Sequence, residues 1–427
     1  MLLARILDPP DPWGRPASGN PKGSRLRGPE IVLDLSRLLS RALHPTPTGI
    51  DRVEMAYART LQRLIPGQLQ FGAVHPTGLY GRLSQRCVGE FLDRTEERWE
   101  SIGGAEAPAT ARRLALQHGW SLRPHAVPPA TGPRVVLQVS PHHLQHPRVV
   151  AGKLRREQAR FVCMVHDIIP ISHPEYARPG GADRHRRRLR TIDAFADGIL
   201  ANSHATLETL LARTDAISRQ RPMRVAHFGV DIHPPTAHPA PVDDRPYFVC
   251  VATIEPRKNH LLLLNLWRSI VDLLGASQAP RLLLIGRRGW ENENVIDMLD
   301  RCPGLREVVR ELPRLSDALM RDLLGNARAM VLPSFAEGFD MPVAEALAAG
   351  VPVLASDIPA HREAGGQVPD YIDPIDGAGW RAAILDYSAS ASVRRAAQLE
   401  RLARWRPTSW ETHVRAALSI AEEVVAC

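Results

Sequence analysis

The chain has 427 residues, 44% hydrophobic and 23% charged, with 37 prolines and 30 glycines. That length exceeds one ordinary domain, and the apolar content excludes a globally disordered chain. The balance of 54 basic against 46 acidic residues gives +8, which favours anionic partners: nucleic acid, an anionic membrane surface or phosphorylated small molecules.

The longest apolar run, near Ala346–Ala355, covers about ten residues where a membrane-spanning helix needs roughly twenty. No span is expected. The opening MLLARILDPPDP lacks the apolar core of a secretory signal before Asp8. Cys87, Cys163, Cys250, Cys302 and Cys427 stand far apart, with no Cys-x-x-Cys pair. Neither a zinc knuckle nor a disulfide framework is indicated, and a reducing cytoplasm fits.

In chain order, residues 1–28 are rich in Pro, Gly and Arg without periodicity and read as a flexible tail. Ile31–Leu35 reads as a buried strand. The loop SRALHPTPTGIDR leads into a helix from about Asp51 to Leu64. Residues 65–150 carry little recognisable pattern apart from a strand at Val135–Val139. Lys153–Arg160 is a basic amphipathic stretch feeding strand Phe161–Val165. A basic helix, DRHRRRLRTIDAFA, is followed by strand Gly198–Ser203 and helix HATLETLLA. The proline-rich segment Asp231–Pro246 reads as an interdomain linker.

Beyond it, strands and helices alternate again: YFVCVAT, NHLLLLNLWRSIVDLL, RLLLIG, NENVIDMLDRC, SDALMRDLLGNA, AMVLPS, PVAEALAAG and PVLAS. Short continuous apolar strands alternating with helices imply parallel sheets covered on both faces. The expected organisation is two Rossmann-like α/β domains, residues 29–235 and 236–407. A last helix, 408–427, starts at a Thr408-x-x-Glu411 capping pattern. Trp410, Val414, Ala417, Leu418, Ala421, Val424 and Val425 form its apolar face.

Four constellations could carry chemistry. In SFAEGFDMPVAEALAAGVPVLASDIPAHREAGG (Ser334–Gly366), a strand ends, a loop carries Glu337 and Gly338, and Pro342 suits the start of a helix closed by Gly350. The helix N-terminal amides around Phe339–Val343 make an anion site at a strand's carboxyl end. Glu337 and Glu345 can face one crevice and hydrogen-bond vicinal hydroxyls. The plainer alternative is a solvated Glu337 and a Glu345 that complements the helix dipole. In VATIEPRKNH, Arg257 and Lys258 sit where a strand yields to a helix, as a diphosphate would need. They could equally be a solvated helix start.

His166, directly after strand FVCMV, suits acid–base work or a sugar hydroxyl, or is a satisfied core residue. Gly49 in PTPTGIDRVE could let the backbone approach a phosphate, or form a simple turn before a helix, with Arg52 on the surface. The charge run Arg184–Arg190 reads as a solvated helix face, or as a surface for anionic lipid. It has no interleaved aromatics, so single-stranded nucleic acid is disfavoured. No Asp-x-Asp triplet, His/Cys metal spacing, Gly-x-Ser-x-Gly or P-loop occurs.

The Glu-x7-Glu element in AEGFDMPVAEALAAGVPV resembles the signature of retaining glycosyltransferases of family 4. IEPRKNH, IGRRGWENE, HDIIP and TGIDRV resemble motifs of its bacterial polysaccharide-assembling, mannosyltransferase-like members. The resemblance implies a GT-B fold, two Rossmann-like domains facing a cleft, with the last helix crossing back onto the first. It implies transfer of a hexose from a nucleotide diphosphate sugar with retention and no bound metal or cofactor, mannose from GDP-mannose being the leading expectation. The acceptor would be an oligosaccharide or a polyprenyl-diphosphate-linked saccharide in surface or exopolysaccharide biosynthesis. The chain would be cytoplasmic, with peripheral contact to the inner face of the membrane, and would bind no nucleic acid.

Residue by residue, the resemblance puts Lys258 on the donor diphosphate, Glu345 on the ribose and Glu337 near the donor sugar. The amides of Gly338, Phe339, Asp340 and Met341 would meet sugar hydroxyls or phosphate. His166 would lie near the reacting centre and Gly49 near the diphosphate. Many members carry a Gly-Arg pair before the lysine. Here the region reads Val251-Ala252-Thr253, and Arg257 would supply the missing charge. Two other functions stay open at this stage: a cytosolic GT-B enzyme of another type, such as an epimerase or a glycogen/sucrose-type enzyme, and, remotely, a basic nucleic-acid-binding protein.

Overall fold

Continuous apolar strands have two faces to bury, and Ile31–Leu33 and Val135–Leu137 lie side by side within one sheet, fully enclosed. The computed structural model describes residues 28–44, 46–75, 78–101, 122–213, 220–231, 245–313 and 315–426. The expected tail, all but Gly28, and most of the expected linker lie outside the described residues.

The first sheet holds β1 (Glu30–Asp34), β2 (Leu69–Val74), β3 (Tyr80–Leu83), β4 (Arg134–Gln138), β5 (Arg160–Val165), β6 (Gly198–Ala201) and β7 (Met223–Val225). Its order is β3-β2-β1-β4-β5-β6-β7. The expectation of a wholly parallel sheet is corrected at one edge, where β3 runs antiparallel to β2. The connection over 75–79 is too short for a crossover, so the chain must turn back as a hairpin. The second sheet holds β8 (Tyr247–Val251), β9 (Arg281–Ile285), β10 (Val309–Leu312), β11 (Ala329–Leu332), β12 (Val353–Ser356) and β13 (Asp370–Ile372). Its order, β10-β9-β8-β11-β12-β13, is wholly parallel and reverses direction between β8 and β11. This is the doubly wound arrangement, so the GT-B expectation holds for the fold. On the outer face of this sheet, Phe248, Trp267, Trp380 and Tyr387 are fully enclosed. Both indole N–H groups find carbonyls, Pro280 at 2.8 Å and Asp373 at 2.9 Å.

The C-terminal helix Trp410–Ala426 crosses back and packs on the first sheet. Val414, Ala417, Ile420, Ala421 and Val424 are buried there. Gly198 makes room for it: a Cβ at that position would lie 2.4 Å from Ile420. The cap lies one residue later than expected, and the helix begins at Trp410. Ser409 Oγ, not Thr408, accepts the Thr412 N–H at 3.1 Å. Glu411 instead pairs with Arg63 and Arg415. Among the described residues no helix is long and apolar enough to cross a membrane. In the basic helix Gly181–Phe195, Arg184, Arg186, Arg187 and Arg190 are exposed, as a solvated face would be.

Candidate functional site: a cation pair at the switch point

β8 and β11 are neighbours, so the segments leaving their carboxyl ends arrive together, in the crevice where doubly wound sheets bind ligands. After β8 the chain is stitched to the segment after β9. Ile254 N–H donates to Arg287 O at 3.0 Å and Gly289 N–H to Ile254 O at 2.9 Å. Gly286 sits at φ +152°, where a Cβ would lie 1.9 Å from the Ala252 carbonyl. The Val251-Ala252-Thr253 stretch therefore lies under backbone and presents no cation.

The cations come four to six residues later. Pro256–Lys258 forms one 3₁₀ turn, and Asn259, at φ +55°, redirects the chain into helix His260–Leu274. Lys258 Nζ lies 2.6 Å from Glu337 Oε1 and 3.3 Å from Asp340 Oδ1. Arg257 pairs with Glu255 at 2.6 Å, donates to Ala336 O at 3.0 Å and pairs with the other oxygen of Glu337. Burial opposes the Lys258 charge, but Asp340 and then Glu337 outweigh it and hold the ammonium pKa above its usual value. Arg257 is likewise driven up: burial is outweighed by Glu337 and Glu255. Neither the solvated Glu337 nor the solvated cation pair survives as a description.

Helix Met341–Ala348 starts from Asp340, whose φ is +67°. That left-handed residue turns the loop so that the first helical amides open into the crevice. The Asp340 side chain is a hub: Oδ1 faces Lys258, and Oδ2 lies 2.9 Å from His361 Nε2. Its burial raises the carboxyl pKa, but Lys258 and then His361 outweigh this and hold it well below the carboxylate range. Among the described residues, Glu337, Asp340 and His361 form a group whose ligand atoms lie within 4.8 Å of one another, as a metal site would. The Lys258 ammonium already touches both carboxylates, so a dication there would meet a fixed positive charge. The donor set fits a monocation better than a metal.

Glu345 lies one turn into the helix and turns elsewhere. It lines an interdomain cleft of about 810 Å³ with Arg52, Asp231, Asp317, Met320 and Met341. The two glutamates expected to face one crevice thus divide: Glu337 on the cations, Glu345 on the cleft. Burial raises the Glu345 pKa, and Arg52 is the leading opposing influence. Arg52, read as a surface residue, in fact reaches from helix Gly49–Leu64 to Asp317 on helix Asp317–Gly325. Its two bonds measure 2.7 and 2.5 Å. A parallel bridge joins Arg321 to Glu100 at 2.9 and 2.8 Å.

His166 and Gly338 meet across the two halves. A Cβ on Gly338 would lie 2.1 Å from the His166 carbonyl. Ser203 and Thr206 hydroxyls donate to the Gly338 carbonyl at 2.5 and 3.1 Å. The His166 Nε2–H donates to Val139 O at 2.6 Å, which leaves Nδ1 as the acceptor nitrogen of the neutral ring. Burial pushes its pKa down. Gly49 opens its helix behind a Thr48–Asp51 capping box, with open space over its Cα. Both the turn and the room for an approaching ligand are therefore present there. Sequence reasoning missed the Asp340 carboxylate, His361, and the Arg52–Asp317 bridge. His361 stood in the quoted motif, but nothing in the spacing marked its partner.

Two doubly wound sheets meeting at such a crevice define the GT-B architecture. Residues 245–388 match the family described as Glycosyl transferases group 1. Residues 245–388 are thus similar to a glycosyltransferase group 1 domain, and the chain is similar to mannosyltransferases of Escherichia coli. The chain is 26% identical over 361 residues to the serotype-specific mannosyltransferase WbdA of E. coli, an alignment covering 78% of this chain and 38% of that protein. It is 35% identical over 166 residues to the O-antigen chain mannosyltransferase B of E. coli, covering 39% of this chain and 42% of the relative. The chain thus spans well under half the length of these relatives. The fold matches sucrose-phosphate synthase from Thermosynechococcus elongatus with a TM-score of 0.59 at 15% identity, over 94% of this chain and all of that one.

Proposed function

We propose that the chain is a retaining hexosyltransferase, moving mannose from GDP-mannose onto an oligosaccharide or polyprenyl-diphosphate-linked acceptor in surface polysaccharide assembly. The observation that carries this is the Arg257–Lys258 pair held by Glu337 and Asp340 at the switch point, directly before the start of helix Met341–Ala348. Likeness to the mannosyltransferases named above favours mannose.

In this reading the donor diphosphate takes Lys258 and Arg257 as counter-ions, in place of a divalent cation, and accepts hydrogen bonds from the 338–341 amides. Glu345 receives the ribose hydroxyls at the edge of the 810 Å³ cleft, which has room for a nucleoside. Glu337 leaves the cations as phosphate arrives and turns to the donor sugar. Gly49 leaves space over the diphosphate, and His166 borders the reacting centre beside Gly338. Leaving-group departure is assisted by the two cations, and the departing phosphate itself takes the acceptor proton. The exposed arginines of helix Gly181–Phe195 suit peripheral contact with an anionic membrane on the cytoplasmic side.

Thermal shifts with GDP, UDP, ADP and dTDP, with chelator and then with magnesium, test the site. The expected result is one clear shift, with GDP, that magnesium does not change. Transfer from GDP-mannose to a lipid-linked acceptor follows. A shift only with UDP or only with metal overturns the donor assignment; no shift with any overturns the site.

A further inference from the structure

His361 is fully enclosed, on helix Pro359–Gly365, and both of its ring nitrogens face oxygen acceptors. Nδ1 lies 2.9 Å from the Ser356 backbone carbonyl, and Nε2 lies 2.9 Å from Asp340 Oδ2. A carbonyl cannot donate, so Nδ1 must carry a proton. A neutral ring would then present a bare Nε2 to a carboxylate. The proton between Nε2 and Asp340 belongs either to the ring or to the acid. The other Asp340 oxygen faces the buried Lys258 ammonium, which favours an ionised carboxylate. Charge balance points the same way. The cluster holds three acids, Glu255, Glu337 and Asp340, against Arg257 and Lys258. Without a third cation, a site meant for a dianion would begin with a net negative charge.

We infer that His361 is a doubly protonated imidazolium and the positioning residue of the donor site, holding Asp340 so that Lys258 is free to turn to a diphosphate. His361 touches no substrate. It acts through the Asp340 carboxylate and through the left-handed turn that this residue makes before helix Met341–Ala348. The charged and titratable groups around it are Asp340 on its Nε2, then Lys258 and Glu337 behind Asp340; the Tyr371 hydroxyl on β13 faces two backbone carbonyls, Gly366 at 2.7 Å and His361 at 3.2 Å, and not the ring. The role rests on the donor-site reading above; the protonation state does not.

The protonation state is read by nitrogen-15 NMR of histidine-labelled full-length protein, with His361 assigned by the loss of its signals in His361→Gln. Two N–H protons on the ring near pH 7.5 are expected, and one unprotonated nitrogen overturns the inference. If His361→Gln does not fold, Asp340→Asn provides the assignment by shifting the same signals. The role is read by GDP binding in a double-mutant cycle. His361→Gln offers no charge and cannot donate to both acceptors, so Kd for GDP should rise about tenfold. In the Asp340→Asn background the same change should add little. Additive losses, or an unchanged Kd in His361→Gln, overturn the positioning role. Absence of GDP binding in the unaltered protein overturns the donor-site reading instead, and leaves the NMR result standing.

Discussion

Substituting Gly338 by alanine tests whether the two halves must close for transfer. The backbone of Gly338 is not in the left-handed region, so alanine carries no conformational strain of its own. The obstacle is across the interface. The new Cβ would lie 2.1 Å from the His166 carbonyl oxygen and 3.2 Å from Asp167 Cβ, whereas ordinary contact begins near 3.4 Å. The halves must separate by about 1.3 Å at this point, or the loop must deform. Overpacking of this kind typically costs about 1–3 kcal/mol. Ser203 and Thr206 also release the Gly338 carbonyl. Neither the cation pair nor the Glu345 side chain is touched, so the donor half keeps its site. Gly338→Ala should therefore bind GDP within a few-fold of the unaltered protein while transfer falls at least tenfold. Isothermal titration and a transfer assay with a saccharide acceptor measure the two. Wild-type transfer with full binding would refute the claim that this contact belongs to the productive state; loss of binding would refute the separation of the two halves' roles.

Glu337→Gln removes the anion that occupies both cations, so GDP should bind roughly tenfold tighter while transfer drops; weaker binding in titration would count against a displaced Glu337. Arg52→Ala breaks the bidentate bridge to Asp317, whose partners are 29% and 13% exposed. The melting midpoint should move little, since such pairs contribute on the order of 1 kcal/mol or less, and the donor KM should rise several-fold; an unchanged KM would separate this bridge from donor binding. Glu54 is enclosed near Asp34, and burial first and Asp34 second push its carboxyl up to about 8 from 4.5. The folded chain then keeps a proton that the unfolded chain sheds. This stabilising contribution is complete below pH 4.5 and is lost as pH rises through about 8. Glu54→Gln should flatten the fall of stability between pH 5 and 8.5 in denaturant titrations, and an unaltered slope would count against a protonated Glu54.

Much of the architecture was legible in the chain. Four- and five-residue apolar runs such as Ala329–Leu332 and Tyr247–Val251, each followed by a helical period, have no stable home except a sheet covered on both faces. Pro342 and Gly350 marked the ends of one helix because each suits one backbone position, and Gly350 indeed lies at φ +77°. The candidate residues Lys258, Glu337 and Glu345 were legible for the same reason: they sit where strands end, and strand ends are local. The stretch 65–150 was less so. β2 and β3 form an edge hairpin of weak period, and the antiparallel turn is a matter of connection length.

What only the tertiary structure decided is which charges meet. Lys258 and Asp340 stand 82 residues apart in the chain, and Arg52 and Asp317 stand 265 apart. No periodicity encodes such pairs, because they depend on where the ends of different strands and helices converge and on which rotamer burial leaves open. The sequence by itself determined the strands, the helices and the residue types available at their ends. Convergence in the crevice then selected Asp340 and His361 as the supports of Lys258, because a buried ammonium must be paired and a buried carboxylate must share its charge.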